Sequence, residues 1–182
     1  MLRQMVCLGF ALFAFAIAPP DRAHAASARE IDVGVRETLD RFFMKVGGGR
    51  DLANSAAGIL VFPSVVKAGI GIGGEYGEGA LLIGGQTADY YNTVSASVGF
   101  QLGVQQRSVI IMFMTEGALS QFRRTAGWKV GVDGSVAIIT VGVGGAVDTN
   151  KVTSPVIGFV LDPKGLMYNL TLEGSKITRI NP

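Results

Sequence analysis

The chain has 182 residues, 48% of them hydrophobic and only 16% charged, with a formal net charge of +2. That is enough chain for one domain with a real core. It excludes a disordered segment and a protein that holds nucleic acid through bulk charge, so no nucleic-acid partner is expected.

Residues 1–25 read as a secretory signal. Arg3 supplies a short positive start, Met5 to Ala18 is an apolar run, and Ala23-His24-Ala25 has the small-x-small form of a cleavage site. The run falls short of the ~20 residues that span a bilayer as a helix. Cleavage after Ala25 predicts an exported protein of the periplasm or cell envelope. Cys7 and His24 are the only cysteine and histidine, and both lie in this segment. Residues 26–182 therefore offer no disulfide, no cysteine nucleophile, no Ser-His-Asp triad and no zinc site of the usual kind. No catalytic residue, metal or cofactor is expected.

Residues 26–56 form a helical segment. Ile31, Val35, Leu39, Phe42 or Phe43, and Val46 recur at helical spacing from Ala26 to Val46, with charged residues on the other faces. Gly47-Gly48-Gly49 stops that helix, and Asp51 is placed to cap a short second one. Residues 57–182 form a β-rich domain, one globular unit with the helical segment. Here the period switches from 3.6 to 2.

The stretch from Gly58 to Gln86 is dense both in glycine and in aliphatic residues, which fits neither a linker nor a helix. It reads as strands with one face bare, where a second sheet, a helix or a ligand approaches the backbone. One strand is expected to end at Pro63, a second to run from Val65 to Glu75, and a turn to follow at Tyr76-Gly77-Glu78-Gly79. From Thr93 to Gln105 apolar and small or polar residues alternate cleanly. Val109 to Met114 follows as a continuous apolar run. Thr115 to Thr125 is the last helix candidate, with Thr115 placed to cap it. Strands at Trp128–Val132, Ser135–Gly144, Pro155–Leu161, Leu166–Leu172 and Ser175–Ile180 complete the chain, with a turn at Asp162-Pro163-Lys164-Gly165. The fold class is α+β: a largely antiparallel, barrel-like or sandwich sheet with an N-terminal amphipathic helix and one or two short helices.

Four constellations invite a functional reading. Gly69 to Gly74 matches G-x-G-x-x-G, but the motif must open a helix to bind a pyrophosphate, and a turn and a strand follow instead. Glu75 and Glu78 flank glycines, and Asp133 and Asp148 sit near glycine turns; solvated carboxylates account for all four. The alternation from Thr93 also suits a transmembrane barrel strand, against which stand the helices and the few aromatic residues for girdles. The first helix sets Phe42 and Phe43 beside Arg36, Arg41 and Lys45, as interfacial helices do, although packing of that stripe on the sheet explains the pattern as well.

Several blocks resemble the SYLF domain family, found in exported bacterial proteins and in eukaryotic membrane-traffic and actin-patch proteins. They are Ala57 to Gly69, Gly73 to Gly79, Ser97 to Gln105, Trp128 to Asp133, Gly165 to Tyr168 and Leu172 to Ser175, in the family's order. The resemblance implies phospholipid binding of the phosphoinositide type, without catalysis. It puts Lys67, the single cation of its block, forward as a lipid contact. Actin binding belongs to eukaryotic members and is not expected of an exported protein.

Two readings follow. In the first, the chain is an exported, non-enzymatic lipid-binding domain whose partner is phospholipid or a membrane surface. Lys67, Arg36, Arg41 and Lys45 meet headgroups, and Phe42 and Phe43 lie beside them. In the second, the partner is an envelope protein and the glycine strands pack a core or an oligomer interface.

Overall fold

A computed structural model describes residues 26–141, 153–165, 172 and 174–182. The expected signal, Asp148 and most of the expected strand Leu166–Leu172 lie outside the described residues.

Helix α1 spans Ala28–Lys45 and opens with a capping box: Ser27 accepts from the Glu30 N–H, and the Glu30 carboxylate accepts from the Ser27 N–H at 2.8 Å. Such a cap is worth about 1 kcal/mol. Helix α2 spans Gly49–Ser55. Its cap is Gly48, in the left-handed region, so Asp51 falls in the first turn rather than at the expected N-cap.

β1 (Gly58–Ile83) and β2 (Gln86–Phe113) form one long antiparallel hairpin. This corrects two expectations. Pro63 does not end the strand; it falls where the register shifts between Phe62 and Val65, so its missing N–H costs no ladder bond. The turn is not at Tyr76–Gly79 but at Gly84-Gly85, whose φ values of 59° and 78° suit a two-residue hairpin loop.

The earlier glycines serve close approach instead. β1 curls until its second half meets its first: a Cβ on Gly77 would stand 2.8 Å from the Ser64 carbonyl oxygen, and one on Gly79 would stand 2.8 Å from Phe62 Cδ1. β2 bends with it, so the runs at Thr93–Gln105 and Val109–Met114 belong to one strand.

Helix α3 (Glu116–Arg124) follows, capped by Thr115 as its sequence predicts. β3 (Trp128–Lys129) pairs with β6 (Lys176–Ile180), which pairs with the start of β2. β5 (Val156–Gly165) pairs with the end of β2 and carries β4 (Ala137–Thr140) in parallel on its far side. The expected turn at Asp162–Gly165 therefore lies within β5. With the halves of β1 and β2 counted apart, eight strands make a strongly curled half-barrel, mixed rather than wholly antiparallel. The α+β class and the barrel-like sheet hold.

The curl separates two cores. Inside it Leu60, Phe62, Leu81, Ile111 and Phe113 meet Leu119 and Phe122 of α3, with Trp128 edge-on to Phe122. Outside it Val61, Ile110, Met112, Ile157 and Phe159 lie under Ile31, Val35 and Phe42 of α1. Each such side chain contributes about 1.5–3 kcal/mol by leaving water.

Candidate functional site

Beyond the cover of α1 the hairpin reverses the usual sense of a strand pair. Lys67, Glu75, Thr93, Gln105 and Arg107 are buried on the inner face. The outer face presents Val66, Ile72, Tyr76, Val94 and Val104, with Ile72 at 73% and Val104 at 62% exposure. Strand parity fixes this: Val65 and Val109 already point into the inner core, and their even-spaced neighbours Lys67 and Arg107 follow them.

Inside, Arg107 Nη2 donates to Glu75 Oε2 at 2.7 Å, with side-chain exposures of 1% and 3%. Burial pushes the Glu75 carboxyl above its ordinary range, while Arg107 and then Lys67 pull it back down. Two cations thus share one carboxylate in the interior.

Outside, a groove of about 850 Å³ separates the N-terminus of α1 from the hairpin. Ile31, Pro63, Val66, Ala68, Tyr76 and Val94 line it. Glu78 holds its polar rim, accepting from the Ala26 N–H at 2.8 Å and from the Tyr76 hydroxyl at 2.5 Å. The carboxylate raises the Tyr76 pKa by accepting that proton's hydrogen bond. A second groove of about 650 Å³ runs between α1, α2 and the hairpin turn, with Arg36, Phe43 and Asn54 on its walls.

The six residues singled out from sequence do not converge. Arg41 and Lys45 both reach Asp162 of β5, and Arg41 also donates to Thr38 at 3.0 Å and Ser108 at 3.3 Å. Lys45, then Arg41, hold the Asp162 carboxyl below its usual range. Arg36 is exposed, its Nε on the Asp32 carbonyl at 3.2 Å. Phe42 is fully buried, edge-on to Phe159 at 4.8 Å, and presents nothing outward. Phe43 is half-buried beneath Arg50, 4.6 Å from its ring. Lys67 lies inside the half-barrel.

The apolar edge expected on the helix is therefore largely core. The exposed apolar face is on the hairpin, and its signal was the alternation from Thr93 onward. Glu75 and Glu78 point to opposite faces of β1 and form no acid/base pair. Among the described residues no three His, Cys, Asp or Glu side chains gather where they could hold a metal ion.

Residues 94–181 match the family model described as Ysc84, Las17-binding protein actin regulator. This match is to the SYLF family and covers just under half of the chain. The match begins in β2 and ends at β6, so it takes in α3 and every later strand. The blocks at Ala57–Gly69 and Gly73–Gly79 precede the matched residues, but the first and the start of the second, through Tyr76, pair with them along the hairpin ladder. No curated protein matches the chain. SYLF domains are binding domains, for lipid or for actin, and the family is not known for catalysis.

Proposed function

We propose that this SYLF protein is an exported, non-enzymatic phospholipid-binding protein of the bacterial envelope, and that the outer face of the β1–β2 hairpin is its membrane contact. Residues 1–25 direct export and are removed after Ala25; residues 26–182 act as one unit. The observation that carries the reading is the reversed hairpin, with Ile72, Val104, Tyr76, Val94 and Val66 turned to solvent and Lys67, Glu75 and Arg107 turned in. An exposed apolar face of this kind marks an interaction surface. At about 25 cal/mol per Å², each ~100 Å² of it withdrawn from water is worth about 2.5 kcal/mol, which suits reversible attachment rather than insertion.

The helix cations contribute less in this reading, because Arg41 and Lys45 are both engaged by Asp162. The rival, docking of the helix edge on an envelope protein, loses most of that edge to the core. Flotation of residues 26–182 with phosphatidylcholine vesicles containing phosphatidylglycerol tests lipid binding. The protein is expected to rise with the vesicles; a protein that stays at the bottom with every lipid overturns the reading. Fractionation of cells with N-terminal sequencing tests export, the expected first residue being Ala26.

A further inference from the structure

We propose that Lys129 and Lys176 form the site for the phosphate of an anionic phospholipid, at the edge of the apolar hairpin face. This rests on the lipid-binding reading and gives it a headgroup specificity. The register sets a single row across four neighbouring strands. Tyr76 of β1 is opposite Val94 of β2, Val94 is opposite Lys176 of β6, and Lys176 is opposite Lys129 of β3. Directly opposed residues share a face, with Cβ atoms about 5 Å apart. The adjoining pair, Trp128 and Ile177, is buried in the inner core, so both lysines point outward with Tyr76 and Val94.

The two ammonium groups are like charges on directly opposed positions, which repel unless an anion lies between them. Among the described residues neither makes an ion pair with a carboxylate. Asp133 accepts the backbone N–H of Lys129 at 2.7 Å within its turn. The neighbouring cations Arg123 and Arg179 are turned to Asp89. Of the acids lining the apolar groove, Glu75 is turned inward to Arg107, and Glu30 and Glu78 stand on the α1 side, with Glu78 accepting from the Tyr76 hydroxyl. A phosphate is therefore drawn to the lysine edge, and its acyl chains meet Val94 and Tyr76 beside it. Lysine suits this place, since its stem lies along apolar surface while the ammonium stays at headgroup level.

The test is co-sedimentation of residues 26–182 with vesicles of phosphatidylcholine alone and with phosphatidylglycerol added. The wild type is expected to prefer the anionic vesicles. K129Q/K176Q is expected to lose that preference, with affinity for anionic vesicles falling about tenfold or more and binding to phosphatidylcholine unchanged. R50Q, which removes a cation on α2, is expected to cost much less. Thermal melts check that each variant is folded. Equal binding of the wild type to both vesicles, an unchanged preference in the double variant, or an equal loss in R50Q overturns the lysine site and leaves lipid binding standing. A wild type that binds neither vesicle overturns both.

Discussion

Arg107 and Glu75 make a 2.7 Å ion pair inside the half-barrel, where neither side chain meets water. The pair is not symmetric. Burial pushes the Glu75 pKa up even beside two cations, so folding disfavours its charged form relative to the unfolded chain. Glu75→Gln, which keeps the shape and removes the charge that burial penalises, is expected to cost less at neutral pH than loss of Arg107. Arg107→Met leaves a buried carboxylate with less compensation and is expected to cost about 3–5 kcal/mol. A raised folded pKa means stability that is present below the ordinary value of 4.5 and lost as pH rises through the folded value. The deficit of Arg107→Met should therefore shrink on acidification toward that range. Urea titrations at several pH values measure both variants; equal losses at neutral pH contradict the assignment.

Glycine in β1 is required at some positions and not at others. Gly79→Ala would place its Cβ against Phe62 and the Val61 carbonyl, and a loss of about 3 kcal/mol or failure to fold is expected. Gly74 has open space around its Cβ position, so Gly74→Ala should be neutral or stabilising by about 0.5 kcal/mol. Thermal melts of the two variants decide it, and similar losses would contradict the close approach.

Phe42→Ala removes a ring packed on Phe159 and should cost about 3–5 kcal/mol, read by urea denaturation. The folded fraction should bind vesicles as the wild type does. A stable variant with weakened membrane binding would return Phe42 to the membrane contact.

The sequence made the class legible because its periods are strong. The helix from Ala26, the cap at Thr115 and the two-residue alternation all appear where the structure has them. The glycine face of Gly58–Gln86 was read as a place of close approach, and Gly77 and Gly79 meet the first half of their own strand. Gly73-Gly74, Gly77-Glu78-Gly79 and Gly84-Gly85 all offer a turn in that stretch, and alternation alone does not say which is left-handed. Nor does it say which face of a strand points inward. Lys67 and Val66 exchange roles with a one-residue shift, and only the inner core at Phe62 and Val109 fixes the parity. The link of Arg41 and Lys45 to Asp162 joins residues over a hundred positions apart and leaves no local signal.

That link gives a pH prediction. Asp162 adopts a left-handed φ of 51°, which Asn tolerates as well, so Asp162→Asn changes charge with little strain. Its lowered pKa means stability present above the ordinary value of 3.8 and lost as pH falls through the folded value. Both cations are over a third exposed, so the expected loss at neutral pH is below about 1 kcal/mol. It should fade below pH 3.8 in thermal melts, whereas a pH-independent difference would point to backbone strain.

The membrane contact itself is tested most directly by position-specific fluorescence. Residues 26–182 contain no cysteine, so a single introduced thiol takes an environment-sensitive dye cleanly. A dye on Val104→Cys, on the hairpin face, should shift to the blue on adding anionic vesicles and be quenched by lipid-borne quencher. A dye on Asn54→Cys, on α2 beside the first helix, should do neither. A response at position 54 with none at position 104 would contradict the account and move the contact to the helices.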